Sequence, residues 1–131
     1  MKQYLAATLS ALAAMFVYGG WAAYANFEYG RDVWLVSATV QGVYAFISTL
    51  TVTVCAQWIY MKCGRGARGI VVGFGISFIL MLSIPVGVHS LVGTPNIVQT
   101  ILPGLIWGAL YLLGYLVLQE KAFRQSKDET L

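Results

Sequence analysis

The sequence predicts an all-α integral membrane protein: a four-helix bundle, antiparallel, with both termini in the cytoplasm and one transmembrane domain over residues 1–131. Three observations predict it. The chain is 59% hydrophobic and only 10% charged, against about 45–50% apolar and about 25% charged residues in a soluble domain. Four stretches free of Asp, Glu, Lys and Arg are each long enough for the roughly 20 helical residues that cross a hydrocarbon core of about 30 Å. The basic residues alternate sides: Lys2, Lys62, Arg65, Arg68, Lys121, Arg124 and Lys127 flank one membrane face, and Arg31 alone flanks the other. The positive-inside rule makes the first face cytoplasmic. This composition argues against a soluble enzyme, a disordered tail or a nucleic-acid module, so no nucleic-acid partner is expected.

The first span covers about Tyr4–Ala25. A cleaved signal peptide is the alternative, since Lys2 supplies a basic start and Ala23-Tyr24-Ala25 fits an A-x-A site. The apolar stretch exceeds the usual h-region of about 7–15 residues, which favours a retained helix. The second span covers about Val33–Tyr60, the third about Gly69–Leu91 and the fourth about Ile97–Leu118. Strict alternation is absent, so helices rather than a barrel satisfy the backbone in lipid. The connections, Asn26–Asp32, Met61–Arg68 and Val92–Asn96, are short, and short connections make successive helices antiparallel neighbours. Lys62, Arg65 and Arg68 anchor to anionic membrane lipid. Cys55 and Cys63 lie at different depths, so a disulfide is not expected.

Polar residues inside spans locate the candidate site. Ser37, Gln41, Tyr44, Ser48, Thr51 and Cys55 follow steps of three and four and share one face of the second helix. A polar stripe in lipid turns inward, either as glue between helices or toward a wet cavity. Thr39, Thr49 and Thr53 lie off the stripe and can bond their own backbone. Gly69, Gly73 and Ser77 repeat every four residues, and Gly104 and Gly108 form Gly-x-x-x-Gly. Such faces permit close helix packing, in the simplest case helix three on helix four, with homodimerisation as the alternative.

Pro85 and Pro103 lie at matched depth in the third and fourth helices. Each removes an i→i−4 bond, so the carbonyls of Met81 and Gln99 are freed and need partners. Two kinks there would splay the outer halves of the helices. His89, Thr94, Asn96, Gln99, Thr100, Asn26, Glu28 and Arg31 crowd the same end, with Gln41 just beneath. The expectation is a partly hydrated vestibule opening outward. An ordinary interfacial belt, with Tyr24, Tyr29 and Trp34 at headgroup level, is the alternative. His89 is the only histidine; it serves either as a structural hydrogen-bonding group or as a sensor of outside pH.

No nucleophile set, metal-ligand set or phosphate loop can be assembled, so catalysis, metals and cofactors are not expected. No carboxylate lies inside a span, which disfavours a proton-coupled pump or a cation channel.

The Gly-rich third helix, the turn Leu91-Val92-Gly93-Thr94-Pro95 and the ending Lys121-Ala122-Phe123 resemble the GtrA-like family of small four-helix membrane proteins. The second helix departs from the family, which ends it with an aromatic residue, an Asn and paired basic residues; here it ends Gln57-Trp58-Ile59-Tyr60-Met61-Lys62. The resemblance implies a multi-pass protein of the bacterial inner membrane that moves lipid-linked sugars in cell-envelope synthesis. The first functional expectation is therefore transport or flipping of an amphiphile. Gln41, His89, Asn96 and Gln99 would hold its headgroup and Arg31 would attract it, with the tail between helices three and four. A homo-oligomer or a partner would complete the path. The second expectation is a non-catalytic accessory subunit of a larger membrane complex, packed through Gly69, Gly73, Gly104 and Gly108.

Overall fold

In the computed structural model, residues 2–130 are described, with the backbone alone for residues 2–4 and for Ala6 and Ala7; the side chain of Lys2 thus lies outside the described residues. The chain is all-helical: α1 (Lys2–Ala25), a single 3₁₀ turn (Phe27–Tyr29), α2 (Arg31–Lys62), α3 (Gly66–Leu91) and α4 (Ile97–Glu129). Among the described residues there is no strand. α2, α3 and α4 are each long and apolar enough to cross a membrane.

Two helix ends differ from the sequence expectation. α4 runs past Leu118 to Glu129. Its 33 residues span about 50 Å, beyond a core of about 30 Å, so the polar segment from Gln119 onward projects from the apolar span. Good helix formers and the Glu120–Arg124 ion pair, one turn apart, sustain it. The connection between α2 and α3 shrinks to Cys63–Arg65. Gly64 (φ 90°) there puts a left-handed residue just past α2, so that Arg65 N–H reaches Tyr60 O and Gly64 N–H reaches Met61 O. Gly93 (φ 74°) ends α3 the same way, with Thr94 N–H on His89 O and Gly93 N–H on Ser90 O. Both are Schellman motifs, and both need a residue that tolerates positive φ.

α1 packs on α2, α2 on α3, α3 on α4, and α4 returns to touch α1 and α2. Glycines set the closest approaches. A Cβ on Gly19 would lie 3.0 Å from Ala38 O, and one on Gly42 would lie 3.1 Å from Met15 O, so α1 and α2 cross backbone to backbone. Gly69 and Gly73 do not face α4, as the simplest sequence reading has it. Their Cβ positions fall 2.8 Å from Tyr60 O and 3.1 Å from Ala56 O, on α2. The short turn is the reason: with three residues between α2 and α3, the start of α3 must pass directly beside the end of α2. Gly108 alone meets the third helix, at Met81, while Gly104 faces Gln41 and Tyr18. Ser77 is buried. Ala56, Tyr60, Leu112 and Leu116 form the apolar core.

Candidate functional site

The Schellman motif after α3 folds the chain back so that Thr94 sits over the helix it has just left. Its hydroxyl lies 2.8 Å from His89 Nδ1 and 3.2 Å from Ser37 Oγ on α2. The other ring nitrogen, His89 Nε2, lies 3.0 Å from Gln41 Oε1. Ser37, Thr94, His89 and Gln41 thus form one chain of hydrogen bonds across α2 and α3, and all four are buried. With Gln41 accepting through Oε1, His89 donates from Nε2–H and accepts at Nδ1 from Thr94, whose oxygen then accepts from Ser37. Nε2 of Gln41 has no hydrogen-bond partner among the described residues.

A second cluster lies beside the first. Asn26, just past α1, donates from Nδ2 to Thr100 Oγ1 at 2.7 Å and to Ala22 O at 2.9 Å. Its Oδ1 accepts from Asn96 N–H at 3.2 Å, and Asn96 Nδ2 donates to Ala25 O at 2.9 Å. The connections after α1 and after α3 are therefore bonded to each other.

Both carbonyls freed by proline find donors. Trp21 Nε1–H donates to Gln99 O at 2.7 Å, and Tyr44 O–H donates to Met81 O at 3.0 Å. Each proline-bearing helix is thereby bonded to a neighbour, α4 to α1 and α3 to α2.

Beneath the His89 network lies a partly open cavity of ≈ 540 Å³. α1 contributes Ser10, Ala14 and Tyr18; α2 contributes seven residues from Gln41 to Thr53; α4 contributes Ile101 to Leu112; α3 adds only Met81 and Pro85. Among the described residues, no Asp, Glu, Lys, Arg or His lines it. The expected place for a lipid tail, between α3 and α4, is thus displaced: Met81 fills that gap against Gly108, and the space lies between α1 and α4, over α2.

At the opposite end of the bundle, Glu120 Oε2 accepts from Tyr60 O–H at 2.6 Å and from Gly66 N–H at 2.9 Å. Arg124 Nε–H donates to Oε1 at 2.7 Å, and the Arg65 guanidinium lies 4.0 Å over the Phe123 ring. A carboxylate from α4 thereby satisfies the first amide of α3, where the helix dipole favours negative charge. The hydrogen bonds from Tyr60 and Arg124 hold the Glu120 carboxyl down at about 2.

The expected vestibule is only partly assembled. Gln41 and His89 are brought together, and Asn96 lies in the adjoining cluster. Gln99 contributes its backbone carbonyl, while its side chain is on the exposed surface. Arg31 is exposed and makes no side-chain hydrogen bond among the described residues. The polar groups satisfy one another because small residues (Ala22, Ala25, Ser37) let the elements close on them. The inward stripe of α2 also holds for half its length: Ser37 and Gln41 are buried, but Thr51 is exposed and bonds Ile47 O. Thr39 and Thr49 bond their own backbone, as their positions predict. Trp21, Tyr18, Tyr60 and Glu120 also shape these sites, and the sequence pattern does not single them out. For Trp21 a signal exists, since a freed carbonyl needs a donor and indole has one to give. For Glu120 the signal is its i,i+4 partner Arg124. Comparison with family models, with curated proteins and with solved structures gives no match.

Proposed function

We propose that this chain is a multi-pass protein of the bacterial inner membrane that takes an amphiphile into its bundle and moves it between the leaflets. On this reading α1 is the fourth span, the helices run antiparallel, and the Lys62–Arg68 turn and both termini face the cytoplasm. The observation that carries the reading is the cavity of ≈ 540 Å³ between α1 and α4. A guest-sized cavity of about 300–1,000 Å³, apolar in most of its wall yet supplied with hydroxyls and an amide, suits a molecule with both apolar and polar parts. Hydrogen bonds tie α1 to α4 at one end, through Trp21, Asn26, Gln99 and Thr100. On this reading the two helices part at the cavity while staying joined at that end.

The accessory-subunit reading needs Gly69, Gly73, Gly104 and Gly108 as an outward packing face. Gly69, Gly73 and Gly108 are occupied within the chain, and Gly104 faces the cavity, which favours transport.

The test is translocation of fluorescent-tailed lipids in proteoliposomes, read by quenching of the outer leaflet. Gly104→Leu, which fills the cavity, and Gln41→Ala are expected to slow translocation at matched amounts of folded protein. Wild-type rates in both variants would reject the reading.

A further inference from the structure

Resting on the amphiphile-binding reading, we infer that the central cavity takes an uncharged lipid, held by a hydrogen bond from the Gln41 amide to an oxygen of the guest, and that it refuses a phosphate-bearing one.

The first ground is the unpartnered amide. Gln41 is 2% exposed, and its Oε1 is engaged by His89. Its Nε2 is left facing the cavity, 3.5 Å from where a Cβ on Gly104 would stand. A guest that displaces water from this amide must supply an acceptor in its place, and a guest oxygen does so. With Gln41 Oε1 accepting from His89 Nε2–H, the group left for the guest is N–H. The guest must therefore bring an acceptor, such as an ester carbonyl, an ether or a hydroxyl oxygen.

The second ground is the wall. Among the described residues it holds no cation, and His89 stands behind Gln41 with both ring nitrogens occupied. A phosphate placed there would be an uncompensated charge in a low-dielectric site, which burial penalises heavily. Three of the hydroxyls in the wall donate elsewhere, Ser48 and Thr49 to Ala45 O and Tyr44 to Met81 O. Their oxygens remain as acceptors. At these three positions an anion would meet lone pairs, whereas a neutral hydroxyl group would find acceptors. The cations of the chain lie beyond the apolar spans, where they can meet anionic headgroups without admitting them.

The class this describes is a neutral glycerolipid, with ester oxygens to accept from Gln41 and a free hydroxyl to donate to Ser48 or Thr49. The experiment uses the full chain in nanodiscs with two photoreactive probes of identical acyl chains, a diacylglycerol and a phosphatidic acid. Cross-links are mapped by mass spectrometry to the wall positions Ala14, Gly104, Leu105 and Gly108, with exposed surface positions as reference. Diacylglycerol is expected to label the wall, and phosphatidic acid to label the surface only. Gln41→Leu is expected to lower wall labelling by about fivefold, the worth of one neutral hydrogen bond. Gly104→Leu, which leaves the Gln41–His89 pair intact, is expected to abolish it. Wall labelling by phosphatidic acid equal to that by diacylglycerol overturns the inference while leaving amphiphile binding standing. So does diacylglycerol labelling that Gln41→Leu leaves unchanged in a folded protein. Surface labelling with no wall labelling by either probe overturns both.

Discussion

Trp21 donates its indole N–H to the carbonyl of Gln99 at 2.7 Å, and that carbonyl is the one Pro103 deprives of its helical partner. A proline in α4 thus creates a bonding site that α1 fills. Tyr44 does the same for Met81 beneath Pro85, at 3.0 Å.

Coupling between these residues follows directly. Trp21→Phe should lower stability by about 0.5–1.5 kcal/mol, because the carbonyl of Gln99 loses its donor at an exposed site. In a Pro103→Ala background the helical N–H returns, and the same substitution should cost much less. Thermal melts in detergent of the four members of the cycle give the coupling. Additive losses would mean that the indole serves only as packing. Tyr44→Phe with Pro85→Ala should couple in the same sense.

Glycine substitutions should divide by position. Gly69→Ala places a Cβ 2.8 Å from Tyr60 O, a backbone atom that cannot swing aside, so α2 and α3 must separate. A loss of about 1–3 kcal/mol is expected, as for other overpacked sites. At Gly75 and Gly114 an added Cβ would meet nothing within 4 Å, and Ala there should be neutral or gain up to about 1 kcal/mol of helix propensity. Melting temperatures of the three variants decide it, and equal losses would contradict the packing described.

Acid should weaken the end of the bundle that holds Glu120. Its carboxyl titrates at about 2 in the fold against 4.5 for the ordinary group. A depressed value means the folded state holds the proton less tightly than the unfolded one. The stabilisation is therefore full above 4.5 and is lost as pH falls toward 2. Melts from neutral pH down to about pH 2 should show a drop in wild type that is shallower in Glu120→Gln. An identical acid profile in the two proteins would remove Glu120 from this role.

Topology is open to a thiol reagent. In a Cys55→Ala background, Cys63 in the α2–α3 turn should react with a membrane-impermeant maleimide in inside-out vesicles and stay unmodified in intact cells. Labelling in intact cells would reverse the proposed orientation.

Fold class was legible in the sequence because lipid imposes one strong rule: uncharged stretches of spanning length must be helices that satisfy their own backbone. The end of α3 was legible in the turn Leu91-Val92-Gly93-Thr94-Pro95, whereas the connection between α2 and α3 is shorter than the expected Met61–Arg68. The two orphaned carbonyls, of Met81 and Gln99, could also be named from the sequence, since proline fixes which bond is lost. What met those carbonyls could not, because Trp21 and Tyr44 are distant in the chain and only the packing of α1 on α4 and α2 on α3 brings them near. For the same reason Gly69 and Gly73 could be read as a packing face, while their partner, Tyr60 and Ala56 on α2, was set by the three-residue turn. The polar crowd of Gln41, His89, Thr94 and Asn96 was visible as composition; whether it stands open or closes on itself depended on distances of about 3 Å, which only the tertiary structure decided.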